Sequence, residues 1–115
     1  MSKTIIAIAT VGKKGLGDEV ADTFAKANTL TLASIDKNKV HLEVLDNPAA
    51  PLTHGRGRTI VPFLKGKGVN VVVASEFGMG ASALLKQFKI GKVVVQAGVK
   101  VDDIIRDEKY KSKVA

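Results

Sequence analysis

Gly68-Val69-Asn70-Val71-Val72-Val73-Ala74-Ser75-Glu76-Phe77-Gly78-Met79-Gly80-Ala81-Ser82-Ala83-Leu84-Leu85 packs three kinds of local structure into one short run. From Val69 to Val73 only Asn70 is polar, which makes a β-branched segment too short for a helix and apolar enough for a strand covered on both faces. Ser75 to Gly80 then supplies a turn in which two glycines permit close approach to the backbone. Ala81, Ala83, Leu84, Leu85 and Phe88 continue with helical character. Strand, glycine turn and helix in that order aim free backbone N–H groups and the positive end of a helix dipole at whatever lies above the turn. The spacing fits neither G-x-x-x-x-G-K-[ST] nor G-x-G-x-x-G through Gly78 and Gly80, so it is not a nucleotide fingerprint.

The charge distribution singles out the same half of the chain. Among 115 residues the net charge is +7, and from Asn47 to Val101 eight basic residues face one acid, Glu76. The remaining positions balance, so the excess predicts an anionic partner for the second half. A chain of this length, 45% apolar, predicts a single domain over 1–115 with a real core. There is no cysteine, which excludes disulfides, thiolate metal sites and a cysteine nucleophile. The first ten residues carry too short an apolar run for a signal sequence or a membrane span, and a cytoplasmic protein is the expectation.

Working outward, Thr4–Thr10 predicts a buried strand and Val11–Gly17 a loop with three glycines. Asp18 predicts the N-cap of a short helix through Phe24. Thr29–Ile35 and Val40–Leu45 alternate across a polar turn and predict a hairpin, ended by Pro48 and Pro51. Arg58–Lys67 predicts a helix, Lys92–Gln96 a fifth strand, and Val99–Ile105 a last short helix; Lys109–Ala115 predicts a frayed tail. This β-β-β-α-β-α-β-α series predicts a mixed α/β sheet in the order 3-2-1-4-5. In an open sheet of that kind ligands gather beyond the carboxyl ends of the parallel strands, where the winding direction changes. That rim brings together Val11–Gly17, Thr23–Asn28, Leu52–Gly57 and Ser75–Gly80, and so makes Thr23, Lys26, His54, Gly55, Arg56, Gly57, Ser75, Gly78, Met79, Gly80 and Ala81 the candidate binding residues. His54 is the candidate metal contact, whereas His41 falls within a strand and reads as structural.

Asp46-Asn47-Pro48-Ala49 after an alternating strand, His54-Gly55-x-Gly57, Gly68-Val69-Asn70-Val71-Val72-Val73 and Gly78-Met79-Gly80-Ala81 follow one another in an order that resembles the dinitrogenase iron-molybdenum cofactor biosynthesis family over nearly the whole chain. The resemblance implies a ribonuclease H-like fold and binding of an iron-molybdenum or iron-sulfur cluster precursor, passed between metal-cluster donor and acceptor proteins. Where cluster-binding members of that family tend to carry His-Phe-Gly-Arg-Ala, this chain has Thr23-Phe24-Ala25-Lys26-Ala27, which replaces an imidazole by a hydroxyl that is a poor ligand for a soft metal.

Three function classes compete. The first is a non-enzymatic carrier of an anionic metal cluster or a small anionic ligand, held by His54, Arg56 and the amides of Gly78–Ala81. A nucleic-acid or protein interaction module, as monomer or homodimer, is the alternative, but one Tyr and four Phe without basic-aromatic interleaving disfavour nucleic acid. An enzyme is the least expected, because Thr4–Thr10 carries no carboxylate to start a two-metal site and Ser75 and Ser82 lack an evident base.

Overall fold

The computed structural model describes residues 3–106. In chain order it contains β1 (Thr4–Thr10), a 3-10 turn (Gly15–Gly17), β2 (Thr29–Asp36), β3 (Lys39–Asp46), α1 (Arg56–Gly66), β4 (Val71–Ala74), α2 (Met79–Gln87), β5 (Gly91–Val94) and α3 (Val101–Arg106). The five strands form one sheet in the order β3-β2-β1-β4-β5, as the element series predicts. β1 is antiparallel to β2, which is antiparallel to β3, while β4 is parallel to both β1 and β5. Lys109–Ala115 falls outside the described residues.

Period-two alternation in β1 divides the core between the two faces of the sheet. Ala7 and Ala9 look toward α1 and α2, where Phe24, Leu30, Ile60, Val61, Leu64, Val72 and Leu85 pack. Ile6 and Ile8 look the other way, onto Val73, Val101, Ile104 and Ile105. The small alanines on one face admit two helices close to the sheet. The isoleucines on the other fill the space beneath α3, the strap residue Val20 and Leu16 of the 3-10 turn.

Strand and helix ends depart from expectation where single side chains intervene. Asn70 falls before β4 because its side chain accepts the Ile5 N–H at 2.8 Å and its own N–H bonds the Ile5 carbonyl. α1 begins at Arg56 rather than Arg58, and so places Pro62 in its second turn. β5 begins and ends earlier than the apolar run suggests, at Gly91 and Val94.

The expected helix over Asp18–Phe24 does not form. The segment is extended instead and, with the turn that carries it on to Ala27, forms a strap across the carboxyl ends of the central strands. Ala21 N–H donates to Ala9, Val20 N–H to Val99 and Phe24 N–H to Glu76, at 2.8–3.0 Å. Apolar residues at 20, 21 and 24 have helical spacing, but a helix of one or two turns pays its nucleation cost for few bonds, and pairing with three distant segments outweighs it.

Asp18, expected as a helix cap, is buried at 2% exposure and accepts the N–H groups of Gly12, Lys14 and Glu19. Burial by itself pushes this carboxyl up. The backbone donors of Lys14, Glu19 and Gly12, with the Lys14 charge, outweigh burial and hold it below the usual carboxylate range. A folded-state pKa below the unfolded value of 3.8 means that the ionised group stabilises the fold at neutral pH, and that this contribution is lost as acid protonates it. Denaturant unfolding followed from neutral pH into the acid range therefore shows stability falling below about pH 4 in the native chain, with a flatter acid limb in Asp18→Asn.

Candidate functional site

The strap sets one wall of a cleft at the carboxyl rim of the sheet. Thr23 pairs with Glu76 in a single parallel bridge, and the Phe24 N–H bonds the Glu76 carbonyl at 3.0 Å. From the other side Asn47, only 3% exposed, donates through its side chain to the carbonyls of Ala25 at 3.1 Å and Ala27 at 2.9 Å. Its Oδ1 accepts the Ala49 N–H at 2.9 Å, which turns the chain out of β3. The Asp46-Asn47-Pro48-Ala49 segment thus fixes the strap as well as ending a strand.

The opposite wall is made by the beginnings of two parallel helices. Gly57, in the first turn of α1, lies so close to α2 that a Cβ on it would stand 3.4 Å from the Ala81 Cα. At their far ends Lys65 Nζ donates to the Phe88 carbonyl at 3.0 Å. Neither start is capped by a side chain: α1 follows Gly55, held at φ 72°, and α2 follows Gly78, and neither first turn contains an acid. The N–H groups of both first turns, unpaired among the described residues, and both positive dipole ends therefore converge on one place.

Between these walls lies a cleft of about 570 Å³, lined by Thr23–Lys26, Arg56, Gly57, Glu76–Gly78 and Ala81. Its apolar side is built on the Phe24 and Phe77 rings, whose centroids are 5.2 Å apart. Lys92 Nζ stands 5.6 Å from the Phe77 ring. The charged members are Lys26, Arg56 and Glu76. Arg56 Nε is buried, with no hydrogen-bond partner among the described residues. A cation in the first turn of a helix opposes the dipole, so helix stability does not account for Arg56 at that position. A second hollow of about 470 Å³ lies beyond the strap, bordered by Glu19, Asp22, Asn28 and Gly98, and shares Thr23 and Lys26 with the first.

Six of the residues singled out by sequence come together on the cleft: Thr23, Lys26, Arg56, Gly57, Gly78 and Ala81. The other five are not on its lining. His54 is exposed two residues before Arg56, and Gly55 serves as the cap of α1. Ser75 is half-buried, Gly80 is exposed, and Met79 is 91% exposed at the start of α2. His41 is exposed on the edge strand β3. Glu76, the acid expected on this edge, completes the lining together with Phe24, Ala25 and Phe77, which sequence reasoning placed on the rim's loops without making them binding residues. The Thr23–Glu76 bridge joins positions far apart in the chain and has no local signature, whereas the position of Phe77 just before Gly78 was a signal that could have been used.

The excess positive charge is also more divided than its place in the sequence suggests. Lys65 and Lys86 lie in the last turns of α1 and α2, where they complement the negative dipole ends at the opposite rim. Among the described residues no three His, Cys, Asp or Glu side chains are grouped to hold a metal ion, and the lining offers neither sulfur nor imidazole. What the cleft can do chemically is donate hydrogen bonds and positive potential to an anion while packing apolar walls against it.

The family model of the dinitrogenase iron-molybdenum cofactor matches residues 4–110. The apo form of the orange protein from Desulfovibrio gigas is similar in structure, with a TM-score of 0.79 and 25% identity, covering 90% of this chain and 84% of that one. A NifB-like protein from Thermotoga, of the DUF35 family, is similar with a TM-score of 0.75 and 30% identity, covering 94% of this chain and 89% of that one. No curated protein matches the chain in sequence.

Proposed function

The chain belongs to the dinitrogenase iron-molybdenum cofactor family, and from that membership we propose that it is a non-enzymatic carrier whose cargo is an anionic iron-molybdenum or iron-sulfur cluster precursor. The observation that carries this reading is the convergence on one cleft of two uncapped helix starts and Arg56, whose Nε has no partner among the described residues. Lys26 and Thr23 add donors from the strap, and Phe24, Phe77 and Ala81 give a surface suited to a large polarisable anion. Because the lining has no soft ligand, the cargo is held by hydrogen bonds and charge rather than by coordination. Such binding needs no ligand exchange at the metal, which suits a protein that receives cargo from one metal-cluster protein and gives it to another. Carriage of this kind also requires no base, nucleophile or resident metal.

The test is metal and sulfide analysis of protein purified without oxygen from its native host, with titration of the metal-free chain by molybdate, tungstate and iron-sulfur precursors. Molybdenum or iron at a fixed ratio to protein, with saturable binding of at least one precursor, is the expected result. Metal-free protein that binds none of them removes the reading.

A further inference from the structure

We infer that Glu76 determines which anions the cleft accepts and how readily it releases them; this rests on the anion-binding reading of the same cleft. Glu76 is, among the described residues, the one carboxylate on the lining, and in the sequence it is the only acid between Asn47 and Val101. Among the described residues its side chain makes no ion pair and no hydrogen bond, so its charge is not spent on Lys26 or Arg56 by direct contact. Its backbone, by contrast, is fixed. The carbonyl accepts the Phe24 N–H at 3.0 Å, the residue pairs with Thr23, and Gly78, two residues on, begins α2. An exposed negative charge is therefore tethered on the lining of a site otherwise built to attract anions.

Side-chain contacts do not explain this placement, whereas selectivity does. Repulsion from a carboxylate tethered at this site grows with the charge of the ligand, so Glu76 weakens a highly charged anion more than a less charged one of the same shape. For a carrier the consequence is useful. Two helix starts, an arginine and a lysine would retain a polyanion, and one opposing charge keeps the complex dissociable.

Two octahedral cyanometallates of similar size and different charge test the inference on the full chain: trianionic hexacyanocobaltate(III) and tetraanionic hexacyanoferrate(II), titrated calorimetrically at low salt. Glu76→Gln is expected to bind the trianion roughly fivefold more tightly than the native chain, and the tetraanion by a larger factor, both gains shrinking as salt is raised. Glu76→Asp, which keeps the charge, should stay within about twofold of the native selectivity. Equal gains for the two anions, or no gain, overturn the inference. Should the native chain bind both anions and Arg56→Ala lose them while Glu76→Gln matches the native protein, the role of Glu76 fails and the anion site stands. If neither the native chain nor any variant binds either anion, the site itself fails and the role of Glu76 with it.

Discussion

Asn47→Ala is expected to lower the unfolding free energy by about 3 kcal/mol. Asn47 is buried, and each of its polar atoms is in use: two hydrogen bonds from Nδ2 to the carbonyls of Ala25 and Ala27, and one to Oδ1 from Ala49. Alanine leaves two carbonyls and an N–H without partners, and a buried polar group so stranded costs roughly 1–3 kcal/mol, less whatever water recovers. Urea unfolding reads the loss as a lower midpoint at constant slope. Asn47→Asp keeps the acceptor but loses both donors and adds a buried charge, so it should be no better. Because the two carbonyls belong to the strap, loss of cargo affinity is expected along with loss of stability. A variant as stable as the native chain would mean that the strap is held by something other than Asn47.

Arg56→Ala is expected to do the reverse, reducing affinity without weakening the fold. A charge-assisted hydrogen bond to an anion contributes roughly 1.5–3 kcal/mol, so binding of molybdate or an iron-sulfur precursor should fall about 10- to 100-fold. Stability should stay level or rise by a few tenths of a kcal/mol, about the amount by which a cation at a helix start opposes the dipole. Arg56→Lys retains the charge but not the planar fork, and should recover only part of the affinity. Equilibrium titration alongside thermal unfolding separates the two effects. If Arg56→Ala unfolded several degrees lower and bound as before, the guanidinium would be a structural group and the cleft would lose its principal donor.

The contrast between these two residues shows how far the site can be read before folding. Arg56 was recognisable from its neighbours, since a basic residue between Gly55 and Gly57, beside a glycine turn that precedes a helix, is a local pattern. Gly57 and Ala81 come together because each lies at a helix start, and the strand-helix alternation already puts both starts on one rim. His54 and Met79 were legible as chemistry but not as position. His54 sits on a loop of that rim and Met79 at the start of α2, yet Met79 is almost fully exposed and neither lines the cleft. Which way a loop side chain turns depends on packing against segments distant in sequence. Asn47 was readable as the end of a strand, and its hold on Ala25 and Ala27 was not.

The strap is the largest gap. Val20, Ala21 and Phe24 have helical spacing, and Asp18 looks like a cap, so every local signal favours a helix. The structure turns the same residues into an extended segment bonded to Ala9, Val99 and Glu76, and buries the Asp18 carboxylate under a glycine loop. Periodicity fixes the order of elements, their pairing in a five-stranded sheet and the rim on which glycine loops collect, because each depends on which residues recur at intervals of two or between three and four. Tertiary structure alone settled the strap, the Phe24–Phe77 wall and the bridge between Thr23 and Glu76, because those contacts join segments far apart in the chain whose mutual attraction leaves no trace in the local pattern of either.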